Sequence, residues 1–450
     1  MRKSSRLLCA TFLCGSALAL VGCDDGSADP NAEIGPNPPL PALRQYWLPP
    51  MHIAKVVGWK QGETPNVPQG LKIEPLATGL QHPRSVYTLP NGDVLVVESK
   101  APKAAAIKRP KEIVMGYIES WATSGGNTGE SNRITLLHDS NGDGVPDQQS
   151  VFLDHLNSPF GVALVGNDLY VANTDAIVKY PYHDGDMKIT APGETLTPLP
   201  GGPIDHHWTK SLTASPDGKL LYVGVGSNSN ITENGMEAEK NRADILEVDR
   251  DSGRYRIFAS GLRNPNGLTF EPQSHVLWTV VNERDEVGPD LVPDYMTSVK
   301  DGAFYGWPYS YYGQNVDPRV QPQRPDLVAK AIPPDYALSS HVAPLGMAFT
   351  SGTNLPEPYR NGAFVGEHGS WNRQVLNGYK VVFVPFSDGK PNGKAQDVVT
   401  GFLDSDQHSR GRPVGLAIDK TGGLLIADDV GNTVWRVTGF GSGPSPAARL

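Results

Sequence analysis

Two neighbouring imidazoles stand in Gly202-Pro203-Ile204-Asp205-His206-His207-Trp208, just ahead of a strand-like run that opens at Leu212. Imidazole, with an ordinary pKa of about 6.5, accepts a proton at neutral pH, so His206 or His207 is a candidate general base. Asp205 is near enough in the chain to orient either ring. Three arginine-bearing segments follow: Arg263-Asn264-Pro265-Asn266, Gly369-Ser370-Trp371-Asn372-Arg373, and Arg410-Gly411-Arg412. A guanidinium fork matches a carboxylate with two bonds, so arginines converging from separate loops would make a pocket for a polyanion.

Oxygen-rich segments suit a hard cation such as calcium. Asn282-Glu283-Arg284-Asp285-Glu286 offers carbonyls and carboxylates. The run Asp139-Ser140-Asn141-Gly142-Asp143-Gly144-Val145-Pro146-Asp147 alternates like the first part of an EF-hand loop, with Asp139, Asn141, Asp143 and Asp147 as candidate ligands. Position 12 of such a loop is Ser150 instead of Glu, so this is either a smaller calcium cage or an Asx-rich turn. His341, Glu367 and His368 lack the short spacings of zinc motifs. Neither a phosphate-cradling GxxxxGK[ST] nor a GxSxG occurs. The aromatic run from Phe304 to Gly313 suits either a rigid wall for a planar or sugar-like ligand or simple packing.

The elements that must position these groups repeat. A turn containing Pro, a short apolar strand, an Asn/Asp/Gly turn and a second strand recur from His82, Ser158, Thr209, Arg263, Ala343 and Arg412. Copies include HPRSVYTLPNGDVLVVES and RPVGLAIDKTGGLLIADD. Two further strands per unit would complete a four-stranded blade. The expectation is an all-β fold, a six-bladed β-propeller of four-stranded antiparallel blades, with the chemistry on loops around one mouth of an axial channel.

The whole chain has 450 residues, 49 Gly and 40 Pro, which favours a turn-rich fold over long helices. Its net charge of -9 argues against a nucleic-acid partner. Its 3 cysteines, Cys9, Cys14 and Cys23, all fall at the start, so disulfide or thiolate chemistry is not expected of the body. MRKSSR followed by LLCATFLCGSALALV reads as an export signal, too short to span a bilayer comfortably. Leu20-Val21-Gly22-Cys23 resembles a lipobox, in which Cys23 is lipidated and anchors the chain on the periplasmic side of a bacterial membrane. The expected organisation is a signal peptide over 1–22, a flexible Pro- and Asp-rich tether over 23–49, the propeller over 50–440 and a tail over 441–450.

Four separated stretches carry a family resemblance: His206-His207-Trp208-Thr209-Lys210-Ser211-Leu212 before SPDGKLLYVGVGSNSN, Arg263-Asn264-Pro265-Asn266-Gly267, Phe304-Tyr305-Gly306-Trp307-Pro308, and Arg410-Gly411-Arg412-Pro413-Val414-Gly415. Over about residues 70–438 the chain resembles the soluble quinoprotein sugar dehydrogenases, in their L-sorbosone dehydrogenase-like branch. The resemblance implies pyrroloquinoline quinone (PQQ) and calcium as cofactors. It also implies a sugar, polyol or sugar-derived aldehyde as substrate and a separate electron acceptor. It places the base on His207, with His206 where the family has aspartate. It places quinone contacts on Arg263, Asn264, Arg410 and Arg412, and on Arg373 by a lysine-to-arginine match. The calcium loop, which in the family binds the ion largely through backbone carbonyls, falls near Glu283, Arg284 and Asp285, with the family's Gly-Pro absent from this loop. A metal-dependent lactonase-like hydrolase and a non-catalytic envelope-binding propeller are the alternative readings on this scaffold.

Overall fold

A computed structural model of the chain describes residues 29–45, 50–102, 131–142 and 144–439. The expected signal peptide with Cys23, most of the first tether residues, Asp143 and the tail lie outside the described residues. Six antiparallel sheets are arranged as blades. Their innermost strands are Pro83–Thr88, Gly161–Val165, Leu212–Ala214, Pro265–Phe270, Pro344–Phe349 and Pro413–Ile418, numbered here as blades 1 to 6. These strands begin the six repeats read from the sequence. Blade 6 is completed by the N-terminal strand Leu71–Ala77, which pairs with Thr433–Gly439, so the first strand of the propeller closes the ring against the last. Among the described residues, no helix is long and apolar enough to cross a membrane.

Pro-x-Gly opens the innermost strand in four blades, and the packing explains both fixed residues. Proline lacks an N–H and is tolerated at the start of a strand that faces the axis as an edge. The glycines Gly161, Gly267, Gly346 and Gly415 each press against the innermost strand of the next blade. A Cβ would lie 2.5 Å from Leu212 N, 2.8 Å from Met347 N, 2.1 Å from Val414 O and 2.7 Å from Ser85 Cα, respectively. The middle residues Phe160, Leu345 and Val414, from blades 2, 5 and 6, form one apolar cluster. Phe160 and Leu345 of this cluster also line a channel of about 490 Å³ walled by all six innermost strands.

Residues expected to belong to a free tether are docked. Ile34–Gly35 adds a fifth strand to blade 4 against Ala337 and Leu338. Buried Glu33 accepts Ser339 Oγ at 2.9 Å and Ser340 N at 2.8 Å, and Leu40 and Leu43 pack on the blade-4 core. A few apolar side chains, a short strand pairing and two hydrogen bonds to one Glu33 oxygen hold a segment whose composition reads as linker. The aromatic run likewise packs: Tyr305, Tyr311 and Tyr312 belong to the core of blades 3 and 4, and Trp307 is buried with its Nε1 donating to Asn230 O at 2.9 Å.

Candidate active site

Antiparallel blades send the loops before each first strand and after each second strand to the same end of the propeller. At that end a cavity of about 130 Å³ opens between blades 3, 4 and 5. Blade 3 contributes His207, from the loop before Leu212–Ala214. Blade 4 contributes Arg263 and Asn264 before its first strand, Asn282, Glu283 and Asp285 after its second, and Asp294 at the start of Pro293–Ser298. Blade 5 contributes His341 and Ala343 before its first strand and Gly369, Trp371 and Asn372 after its second.

His207 Nδ1 lies 2.8 Å from Ser227 O and 3.0 Å from Ser227 Oγ. A ring nitrogen facing a carbonyl must carry the proton, so Nε2 keeps the lone pair. Burial, then the positive charge of Arg263, holds the imidazole well below its usual range, leaving it neutral and able to accept a proton at neutral pH. Gly226 allows this arrangement. A Cβ there would lie 2.5 Å from His207 Cβ and 2.4 Å from Asn264 Oδ1.

Across the cavity, Arg263 donates Nη1 to Glu283 O at 2.6 Å and pairs Nη2 with Asp285 Oδ2 at 3.2 Å. Asp285 Oδ1 accepts Asn372 Nδ2 at 2.7 Å and stands 3.5 Å from His341 Nδ1. Burial opposes the Asp285 charge, but the His341 hydrogen bond and the Arg263 charge outweigh it and keep this carboxyl below its usual range. The same carboxylate outweighs burial to raise His341, whose Nε2 donates to Gly288 O at 2.9 Å. Asp294, accepting Glu283 N and Ala343 N at 2.7 Å each, is pushed up to about 7 by burial.

Three oxygens on lining residues, Asn264 Oδ1, Glu283 Oε1 and Asn372 Oδ1, are buried without a hydrogen-bond partner. Partnerless oxygens on residues that line one cavity with the Asp285 carboxylate are donors of the kind a hard cation takes, and the Arg263 guanidinium adds a positive charge suited to an anionic cofactor. The residues therefore fit the calcium and quinone expected from the sequence.

Several expected site residues lie elsewhere. His206 is exposed on the far side of the peptide and does not line the cavity. Asp205 orients neither imidazole; its carboxylate is taken by Arg242 Nη1 at 2.8 Å and Thr174 Oγ1 at 2.6 Å. Arg284 is wholly enclosed and spent on Glu283 Oε2 at 3.1 Å and Asp317 Oδ2 at 3.0 Å, so its side chain is a core strut and not part of a cation site. Arg373 is held by Asp290 Oδ1 at 3.1 Å and Pro289 O at 2.6 Å. Arg410 stands 3.9 Å from Glu63 Oε2, and Arg412 donates to the carbonyls of His368 and Gly369 at 2.9 Å each. Each of these three arginines finds a nearby acceptor and none lines the cavity, although Arg412 supports its Gly369 wall. A Gly-Pro occurs after all, three residues beyond Asp285, but its carbonyls serve His341 and Arg373.

The Asp139–Asp147 loop joins the third and fourth strands of blade 1 and so emerges at the opposite end. Asp139 accepts Gly142 N at 2.7 Å and Gly144 N at 2.6 Å, and Asp147 accepts Ser140 N at 3.2 Å and Ser140 Oγ at 2.7 Å. These carboxylates cap their own turn, as in the Asx-turn alternative; Asn141 is not part of the cavity, and Asp143 lies outside the described residues. His341, Glu367 and His368 do not converge. Among the described residues the one three-ligand cluster is Asp404, Asp406 and His408, outside the cavity.

Sequence reading missed Asp294, Ser227 and Asn372 as parts of the site. Asn372 and Ser227 sit beside noted residues, but nothing in Pro289-Asp290-Leu291-Val292-Pro293-Asp294 marks the last aspartate as lining a cavity.

A Glucose / Sorbosone dehydrogenase family model matches residues 166–372, and a TrAA12-like model matches residues 320–439. An uncharacterized protein of Borreliella burgdorferi is 30% identical over 292 residues, covering 63% of this chain and 76% of that one. A pyrroloquinoline quinone-dependent pyranose dehydrogenase of Coprinopsis cinerea is 25% identical over 441 residues, covering 84% of this chain and 55% of that protein, so the chain spans about half the relative's length. The holo pyranose dehydrogenase PQQ domain from Coprinopsis cinerea superposes with a TM-score of 0.67 at 22% identity, covering 86% of this chain and 100% of the domain. The chain thus shares the propeller fold of that PQQ domain, and its central part, residues 166–372, is similar to the Glucose / Sorbosone dehydrogenase family.

Proposed function

We propose that the cavity between blades 3, 4 and 5 is the active site of a PQQ-dependent dehydrogenase of the L-sorbosone type, which oxidises a sugar, polyol or sugar-derived aldehyde. The observation that carries this reading is a neutral His207, anchored through Nδ1, in one small cavity with Arg263 and three unsatisfied oxygens. Arg263 and Asn264 would hold the quinone, and Glu283 and Asp285, with the side-chain oxygens of Asn264 and Asn372, would hold calcium. When bound, the quinone supplies a two-electron acceptor for the hydride of the substrate carbon, and calcium polarises it. His207 takes the substrate hydroxyl proton at Nε2. Arg263 and Asp285 fix the opposite wall, and Trp371 bounds the mouth. Electrons leave to an acceptor outside the chain. The N-terminal segment supports export and anchoring through Cys23 on the periplasmic side of a bacterial membrane; loss of the protein from the membrane fraction in Cys23→Ser tests that part.

Reconstitution tests the activity. Adding PQQ with calcium to the purified protein is expected to give dye-linked oxidation of sugars or polyols that neither addition gives alone. His207→Ala should lower kcat by roughly 10²–10⁴-fold with the fold intact, while His206→Ala stays near the wild type. Absence of turnover across a broad panel of sugars, polyols and aldehydes, despite saturable PQQ binding, would remove the reading.

A further inference from the structure

Arg242 precedes the third strand of blade 3, lies outside the cavity lining, and is 5% exposed. Its Nη1 donates to Asp205 Oδ1 at 2.8 Å and to Gly226 O at 3.2 Å, and its Nη2 donates to Pro200 O at 3.0 Å. Lys210, fully enclosed, donates Nζ to Trp208 O at 2.9 Å and stands 3.7 Å from Asp205 Oδ2. None of these side chains lines the cavity.

The contacts fall on the two pieces of chain that make the base. Asp205 and Trp208 flank the His206-His207 pair. Gly226 precedes Ser227, whose carbonyl receives the His207 Nδ1 proton. Between them there is no slack, because Gly226 packs against both His207 Cβ and Asn264 Oδ1. A shift of the Gly226 turn against the Asp205–Trp208 loop therefore breaks the His207–Ser227 bond. A buried carboxylate that loses one of its two cations has reason to shift, since its desolvation is then uncompensated.

We propose that Arg242, seconded by Lys210 through Asp205, is a positioning residue for His207, locking the loop and the Ser227 turn in register so that the lone pair stays on Nε2. The proposal rests on the reading of His207 as the base, and it adds the device that fixes its tautomer. A base misplaced by about 1 Å loses on the order of a hundredfold in rate, so a residue that touches no substrate can control turnover.

The test uses the full chain labelled with ¹⁵N-histidine, with the His207 signals identified by their loss in His207→Gln. The wild type is expected to show a single Nδ1–H tautomer. Arg242→Met is expected to show a mixture of tautomers and, once reconstituted, a kcat lowered roughly ten- to a hundredfold with KM within about threefold. Arg242→Lys keeps the charge but lacks the second nitrogen that reaches Pro200 O while the first holds Asp205 and Gly226, and should recover part of kcat. If Arg242→Met does not fold, Asp205→Asn takes its place with the same expected tautomer mixture. A folded variant that keeps the single tautomer and the wild-type kcat overturns the proposal. If the reconstituted wild type oxidises no sugar while the tautomer still shifts in the variant, the dehydrogenase reading fails and the positioning role stands.

Discussion

Glu367 ends the second strand of blade 5 with a carboxyl that is 2% exposed, and its Oε2 has no hydrogen-bond partner. Burial pushes it up to about 8, against the opposing charge of Lys380. Because its folded pKa lies above the unfolded value of about 4.3, the folded state holds an extra proton between them. The stability tied to that proton is present below about pH 4.3 and lost as pH rises toward 8. Glu367→Gln should remove this slope. Between pH 5 and 8.5 the wild-type Tm is expected to fall by roughly 2–4 °C more than that of the variant, and parallel curves in the two proteins would refute the assignment. At this scale the legibility of the sequence was uneven. His207, Arg263, Asn264, Glu283 and Asp285 were nameable from type and spacing, whereas His206 was separable from His207 only once the peptide's direction was known. Glu367, Asp294 and Ser227 carry no local signal, because what makes them special is burial or a partner on another strand.

The repeated strand pair was fully legible, since its Pro, Gly and apolar alternation are local properties of the chain. The reason for the repeated glycine was not, because its neighbour lies in the next blade. Gly346→Ala would set a Cβ 2.1 Å from the Val414 carbonyl oxygen and 3.0 Å from Gly415 Cα, both backbone atoms that cannot swing aside. The expected cost is about 1–3 kcal/mol, read as a lowered denaturant midpoint at an unchanged slope. Gly166→Asn, at a hairpin turn with φ +59° and nothing within 4 Å, is the control and should change stability far less. Equal effects of the two substitutions would show that the blade-to-blade approach of these strands is not tight. The arginine-bearing segments also belong to this scale. They do occupy loops of successive blades at one end, as their spacing suggests, yet of these arginines Arg263 alone lines the cavity, while Arg373 is paired with Asp290 and Arg412 with two carbonyls.

A ring of blades is held by its closure as much as by its contacts. Here the Leu71–Ala77 strand supplies the outer edge of blade 6 and covers Thr433–Gly439. A chain beginning at residue 70 keeps that strand and one beginning at residue 79 lacks it. The second should melt roughly 10 °C or more below the first and aggregate through its open edge, as read by calorimetry and light scattering. Similar melting of both would mean that the seam between blade 6 and blade 1 is not the weak point of the ring. The docked segment before this strand belongs to the same account. It crosses from blade 4, where Glu33 is buried, past Trp371, whose carbonyl accepts His52 N at 2.8 Å, to blade 6, where Trp59 Nε1 donates to Asp428 Oδ2 at 2.8 Å.

By itself the sequence determined the number of blades, the end at which the loops gather, the absence of thiol chemistry in the body and a short set of residues able to do acid–base and cation chemistry. These follow from periodicity, turn chemistry and residue type, all of which are local. Only the tertiary structure decided which histidine of the pair lines the cavity, which arginine lines it and which candidate calcium loop shares the cavity with the base. It also decided that a linker-like segment docks on blade 4. Those outcomes depend on contacts between residues tens to hundreds of positions apart, which no local pattern encodes.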